Sequence, residues 1–236
     1  MLPMPRFDLP RAARSLNALL KNPDDLPQVF SLIEALSGTT PHRMMWKFER
    51  TEAGRAILND QPDIVPVLAD REALRRMPAG SLAHAYLAFV ESEGISAEGI
   101  VAAAKAGQQR TDGPFAYMRS RMRDTHDLWH AVTGYQGDVL GELSLLAFLL
   151  GQHWNSAIAA IVSAGLLKGF AANHDPKLVL EGYRRGRNAE WLPSQPWESM
   201  LALPVSEVRE RLKVGPLPEY TPVRSSQLRE AGIVTG

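Results

Sequence analysis

The sequence predicts an all-α protein: a single multi-helix domain over residues 1–214, followed by an extended or disordered tail over residues 215–236. Three observations predict it. Apolar residues recur at three- and four-residue spacing along most of the chain, Pro and Gly punctuate the gaps between these runs, and alternating apolar and polar residues of the strand type hardly appear. At 236 residues the chain is long enough to bury one full hydrophobic core.

Taken in order, the periodic segments give two early helices, Pro10 to Lys21 and Leu26 to Leu36, the second stopped by Ser37-Gly38. Arg71 to Met77 and Ser81 to Ser92 follow, with the Ser81 hydroxyl suited to cap the latter. Ser96 with Gly99 opens another towards Ala106. Gly113-Pro114 starts a longer helix that ends near Gly134, since Pro is tolerated in a first turn and Gly adopts the left-handed conformation that closes a helix. Asp138 caps the next, a small-residue helix runs from about Ser156 to Phe170, and Lys177 to Arg187 and Ser206 to Leu212 complete the set. The tail after Val214 carries Pro216, Pro218 and Pro222 among polar residues and only short apolar pieces, too little to bury.

Acidic and basic residues balance at 26 each, so no overall field recruits nucleic acid or an anionic membrane. With no cysteine, disulfides, thiolate ligands and a cysteine nucleophile are excluded, and any metal falls to His, Asp and Glu. Met1 to Asn17 has three arginines but no apolar signal core, and Leu143 to Phe170 is interrupted by Gln152, His153, Asn155, Ser156 and Lys168. The expectation is a cytoplasmic protein, or one peripheral on the inner face of the membrane.

The chemistry concentrates in His126-Asp127-Leu128-Trp129-His130, followed after eleven residues by Glu142. Two imidazoles four apart project from one helix face, and a carboxylate from the next helix supplies a third ligand to one divalent ion, Zn, Fe, Mn or Co. Gly134 and Gly137 let the chain reverse between them. The zincin proteases place Glu after the first His, whereas this chain has the shorter Asp127. Two His and one carboxylate is also the open ligand set of non-haem iron oxygenases. Asp127, about 100 degrees round the helix from His126, is a fourth ligand, an orienting partner or a catalytic proton carrier. Four-residue steps back from the histidines reach Met122 and Met118, and the Glu142 stripe continues through Leu146, Leu149 and Leu150. These five side chains either line an apolar groove for a substrate with a polar head and a long hydrocarbon tail, or are packed core without a cavity. Arg119, Arg121 and Arg123, and later Arg184, Arg185 and Arg187, read as solvated faces or as anion binders.

The pattern His126-Asp127-x-x-His130-x11-Glu142 resembles the signature of the coenzyme Q (ubiquinone) biosynthesis protein 4 family at all four positions. Met45-Trp46-Lys47, Gly54-Arg55, Ile57-Leu58, the run Pro78 to Tyr86, Tyr183 to Arg187 and Trp197-Glu198 resemble it too, so the likeness spans roughly Leu26 to Leu212. The resemblance implies an all-helical protein that holds one divalent metal ion through His126, Asp127, His130 and Glu142. The implied partners are a prenylated quinone precursor or other isoprenoid lipid and the other quinone-biosynthesis proteins, at a membrane surface. Apart from the resemblance, the chain is expected to be a monomer or a homo-oligomer, and its balanced charge to leave nucleic acid unbound. The implied reaction is oxidative decarboxylation of a polyprenylated hydroxybenzoate ring. The alternative is a non-catalytic, lipid-binding scaffold that organises the pathway's enzymes. A closed coordination sphere including Asp127 favours the scaffold; an open position favours the enzyme.

Overall fold

The computed structural model describes residues 7–99, 101–102, 113–171, 175–232 and 234, and no strand occurs among them. Helix α1 (Leu9–Lys21) and α2 (Leu26–Ala35) are each capped by an aspartate, Asp8 accepting from the Arg11 amide and Asp25 from that of Gln28. Next come α3 (Thr40–Arg50), α4 (Glu52–Asp60), α5 (Val65–Ala69), α6 (Arg71–Arg75) and α7 (Leu82–Ser92). Then follow α8 (Pro114–Asp124), α9 (His126–Thr133), α10 (Val139–Gln152), α11 (Ser156–Ala171) and α12 (Lys177–Asn188). After a 3-10 turn at Leu192–Ser194 stand α13 (Trp197–Met200), α14 (Val205–Arg211) and α15 (Ser225–Glu230). The end of the helix expected from Ser96 towards Ala106 lies outside the described residues.

Three helices between Thr40 and Ala69 were not among those expected from periodicity. Their junctions explain why. Thr51 separates α3 from α4 by accepting the Gly54 amide at 3.0 Å, and Gly54 sits so close to the Phe48 carbonyl that any Cβ would collide with it. The apolar signal is thus split into short pieces by a cap and a packing glycine.

The helix expected from Pro114 to Gly134 is two helices, α8 and α9, parted at Thr125. The Thr125 amide and hydroxyl both donate to the Arg121 carbonyl, at 2.9 and 2.8 Å, and α9 restarts from the Thr125 carbonyl. A threonine that back-bonds in this way bends a helix.

The helices group into two compact units, each built from separate stretches of chain. One comprises residues up to Arg43, Tyr135–Asn188 and the chain from Pro218. In it Ala12, Leu32, Ala35 and Ala157 form a cluster, and α10 and α12 approach closely because two glycines face carbonyls. A Cβ on Gly182 would stand 2.5 Å from the Ser144 oxygen, and one on Gly186 would overlap the Phe148 oxygen. The second unit comprises Met44–Gly134 and Ala189–Leu217. Its cluster joins Met44, Met45, Phe48, Ile57, Met118 and Trp191, and an isolated bridge pairs Ser81 with Pro204 at the start of α7. No described helix is long and apolar enough to cross a membrane.

Candidate metal centre

Within the second unit, α9 presents His126 and His130 on one face, their ring centroids 4.8 Å apart and their planes at 72°. His130 is 1% exposed and is stacked on Phe89 of α7, with centroids 4.6 Å apart and planes 9° from parallel. The His126 side chain is about one-third exposed. Asp127 Oδ1 lies 3.6 Å from His126 Nδ1, beyond hydrogen-bond distance.

The helix is held by its polar ends. Arg209 of α14 donates Nε–H to the Val132 carbonyl at 3.1 Å and Nη2–H to that of Ala131 at 3.0 Å, satisfying carbonyls that a helix C-terminus otherwise leaves open. Gly134, at φ 81°, turns the chain and donates its amide to the His130 carbonyl. At the other end, Arg121 is buried and pairs with both oxygens of Glu198 at 2.8 and 2.9 Å, with Nη2 also on the Gln195 carbonyl. This arginine belongs to one of the runs read as solvated or anion-binding, and its counter-anion is the protein's own. Burial opposes the charge of Glu198, but the Arg121 hydrogen bonds prevail and hold its pKa below the ordinary value. Met118 is buried in the cluster with Phe48 and Trp191, and Met122 packs against that cluster.

In the first unit, Glu142 stands in the first turn of α10, where a carboxylate also complements the helix dipole. Asp138, buried, caps this helix by accepting the amides of Leu140 and Gly141 at 3.1 and 3.2 Å. Two groups of the C-terminal segment tie the cap down: the Tyr220 hydroxyl donates to Asp138 Oδ2 and the Val223 amide to Oδ1, both at 2.8 Å. The Tyr220 oxygen accepts the Gln136 amide as well. Along the Glu142 face Leu146 and Leu150 are half-buried, and Leu149 beside them is buried.

His126, His130 and Glu142 form a candidate metal-ligating group among the described residues, offering two imidazole nitrogens and one carboxylate oxygen. Asp127 is not in that group. The donor chemistry fits a divalent ion: three nitrogen and oxygen ligands leave a tetrahedral or larger coordination sphere open for one more.

Sequence reasoning did not single out Phe89, Arg209 or Tyr220. Phe89 and Arg209 sit on ordinary helices, and nothing local distinguishes a side chain that stacks on a candidate ligand or clamps a distant carbonyl. Tyr86 stands out in the sequence only as the end of the family-like run from Pro78. It is 0% exposed and its hydroxyl has no partner among the protein atoms of the described residues. Burial first, and then the Asp127 charge, raise its pKa well above the ordinary value, with Arg71 acting in the opposite sense.

Comparison with known proteins follows the same lines. Residues 9–218 match the family model described as Coenzyme Q (ubiquinone) biosynthesis protein Coq4. The chain is 28% identical over 215 residues to the mitochondrial ubiquinone biosynthesis protein COQ4 of Lachancea thermotolerans, a match covering 89% of this chain and 64% of that protein. The corresponding protein of Uncinocarpus reesii is 30% identical, with 86% of this chain and 74% of the relative covered. Among solved structures, a Nostoc punctiforme PCC 73102 protein described as a candidate ubiquinone biosynthesis protein shares the fold, with a TM-score of 0.61 and 23% identity over 89% of this chain and all of that one.

Proposed function

The chain belongs to the Coq4 family of coenzyme Q (ubiquinone) biosynthesis proteins, and from that membership we propose that it acts in ubiquinone biosynthesis as a metal-dependent oxidative decarboxylase of a polyprenylated hydroxybenzoate. One observation carries the reading: the family signature falls on the His126, His130 and Glu142 group, whose donors suit one divalent ion with a position to spare. Such an ion, when bound, supplies Lewis acidity towards the ring's carboxylate or phenolic oxygen and, if redox-active, a means of using dioxygen. The remaining work falls to the chain. His130, buried under Phe89, gives one ligand in a fixed orientation, while the more exposed His126 gives the second. Asp127 moves the proton, because it is the carboxylate beside the pair that is outside the ligand group. The prenyl tail runs along Leu146, Leu149 and Leu150. The half-buried leucines on the Glu142 face support this path.

A second reading, the lipid-binding scaffold, is favoured by apolar side chains left exposed in the first unit: Phe30, Trp154 and Leu167, the last 71% exposed. Both readings place the protein beside other quinone-biosynthesis proteins and in peripheral contact with a membrane.

Elemental analysis and a turnover assay separate them. The purified chain should carry about one divalent ion, lost in His126→Ala and His130→Ala variants. With a short-chain prenylated 4-hydroxybenzoate in air, it should release carbon dioxide and form the ring-hydroxylated product, and Asp127→Asn should bind the lipid while losing turnover. Absence of product with every metal, aerobically and anaerobically, selects the scaffold.

A further inference from the structure

Among the buried hydrogen-bond donors of the second unit that meet no protein acceptor among the described residues are the Tyr86 hydroxyl and the Arg71 Nε–H. Both atoms are buried, and a buried donor left without an acceptor destabilises the fold unless something else accepts from it. Arg71 is otherwise engaged, its Nη2 donating to the Ile95 carbonyl at 2.5 Å, so its side chain is held in place with Nε–H left over. Tyr86 and Phe89 lie three residues apart on one face of α7, and Phe89 is the ring stacked on His130. The hydroxyl therefore faces the same side as the imidazole pair. Arg71 opens α6, which packs against α7, and its acceptor Ile95 in turn donates its amide to the Val90 carbonyl, one turn beyond Tyr86 on the same helix; the Asp127 and Arg71 charges act on the phenol in opposite senses. Burial keeps the phenol protonated, hence a donor.

We infer that Tyr86 and Arg71 are positioning residues that bind a carboxylate of the aromatic head group seated at the His126 and His130 pair. A carboxylate matches them because its two oxygens accept several hydrogen bonds at once, and because one of the two donors is cationic. The proposal rests on the metal-dependent reading above and deepens it. The ring carboxylate is gripped at its oxygens by the protein, so the ring bearing it is fixed before that group departs.

The test uses the full-length, zinc-loaded protein, with 4-hydroxybenzoate as probe and phenol as the matched ligand lacking the carboxylate, both followed by calorimetric titration. Tyr86→Phe keeps the ring in the core and removes only the hydroxyl. It should weaken 4-hydroxybenzoate about tenfold, leave phenol and zinc content unchanged, and not lower the Tm, since the hydroxyl satisfies no protein acceptor. Arg71→Lys, which keeps the charge and removes the Nε–H, should show the same selective loss. Equal affinity of wild type and Tyr86→Phe for 4-hydroxybenzoate overturns the inference and leaves the metal reading standing; it is also the result if the hydroxyl serves only an ordered water. Zinc-loaded wild type that fails to bind 4-hydroxybenzoate overturns the inference as well. A wild type that loads no metal overturns the proposed function, and the inference falls with it.

Discussion

Helices α9 and α10 carry the candidate ligands, and they are anchored by opposite means. Around α9 the anchors are charged: Arg209 holds its last carbonyls, and at its start the carbonyl bonded by Thr125 belongs to Arg121, whose buried guanidinium is locked to Glu198. Along α10 the anchor is the lack of side chains, Gly182 and Gly186 letting the α12 backbone lie against the Ser144 and Phe148 carbonyls. A charged anchor fails when its partner is removed, because a buried charge is left uncompensated. A glycine seam fails when an atom is added. Opposite substitutions should therefore be the damaging ones in the two regions.

The largest effect expected is from Glu198→Ala. Removing the anion strands Arg121, whose side chain is 1% exposed, and breaking such a pair costs about 3–5 kcal/mol. Urea denaturation at neutral pH reads it. The pH dependence sharpens the assignment. The folded-state pKa of Glu198 is depressed, so the unfolded chain binds more protons in the intervening range. The pair's contribution is then full above the unfolded carboxylate value of about 4.3 and is lost as pH falls through the folded value. The stability gap between wild type and variant should close on acidification, and a gap that stays constant would assign the loss to packing.

Next in size is Gly186→Ala. The added Cβ meets the Phe148 carbonyl oxygen, which is backbone and cannot rotate away. Overpacking of this kind costs about 1–3 kcal/mol, and the helix propensity gained by Ala returns up to about 1. Because the oxygen cannot yield, the cost lies at the upper end of that range, and a net loss of about 2 kcal/mol is expected by the same denaturation. The converse change around α9, adding bulk at the exposed side of His126, should cost little. If Gly186→Ala is neutral, α12 can shift, and close approach is not what anchors α10.

The same contrast explains what the sequence made legible. The all-α class, Ser81 and Asp138 as caps, Gly134 as a terminator and the spacing of the candidate ligand triplet are local or periodic features, and each is readable from its own neighbours. The break at Thr125 was not, because threonine inside a helical pattern is common and only its back-bonding to Arg121 bends the chain. Nor was the Arg121 partner, 77 residues away at Glu198. Gly182 and Gly186 are, in the sequence, only two glycines four residues apart beside arginines. Only the fold reveals that their purpose is a backbone contact with α10. Phe89 and Tyr86 look like core aromatics in any helix; what sets them apart is the imidazole under one and the missing acceptor of the other.

The smallest effect tests whether α10 has a polar anchor after all. Tyr220 comes from the stretch between α14 and α15 without regular secondary structure, yet its hydroxyl donates to the capping carboxylate of the Glu142 helix and accepts the Gln136 amide. Tyr220→Phe removes one hydrogen bond to a charged acceptor, while Asp138 keeps the amides of Leu140, Gly141 and Val223. The cost should be about 1–2 kcal/mol globally. Locally, the Leu140 and Gly141 amides should exchange hydrogen faster, since their acceptor has lost one of its restraints. Because Glu142 is the residue after Gly141, metal affinity should fall a few-fold with unchanged stoichiometry. If exchange at those amides and metal affinity both match wild type, the C-terminal segment is an attachment without consequence for the ligand, and α10 is positioned by its glycine seam alone.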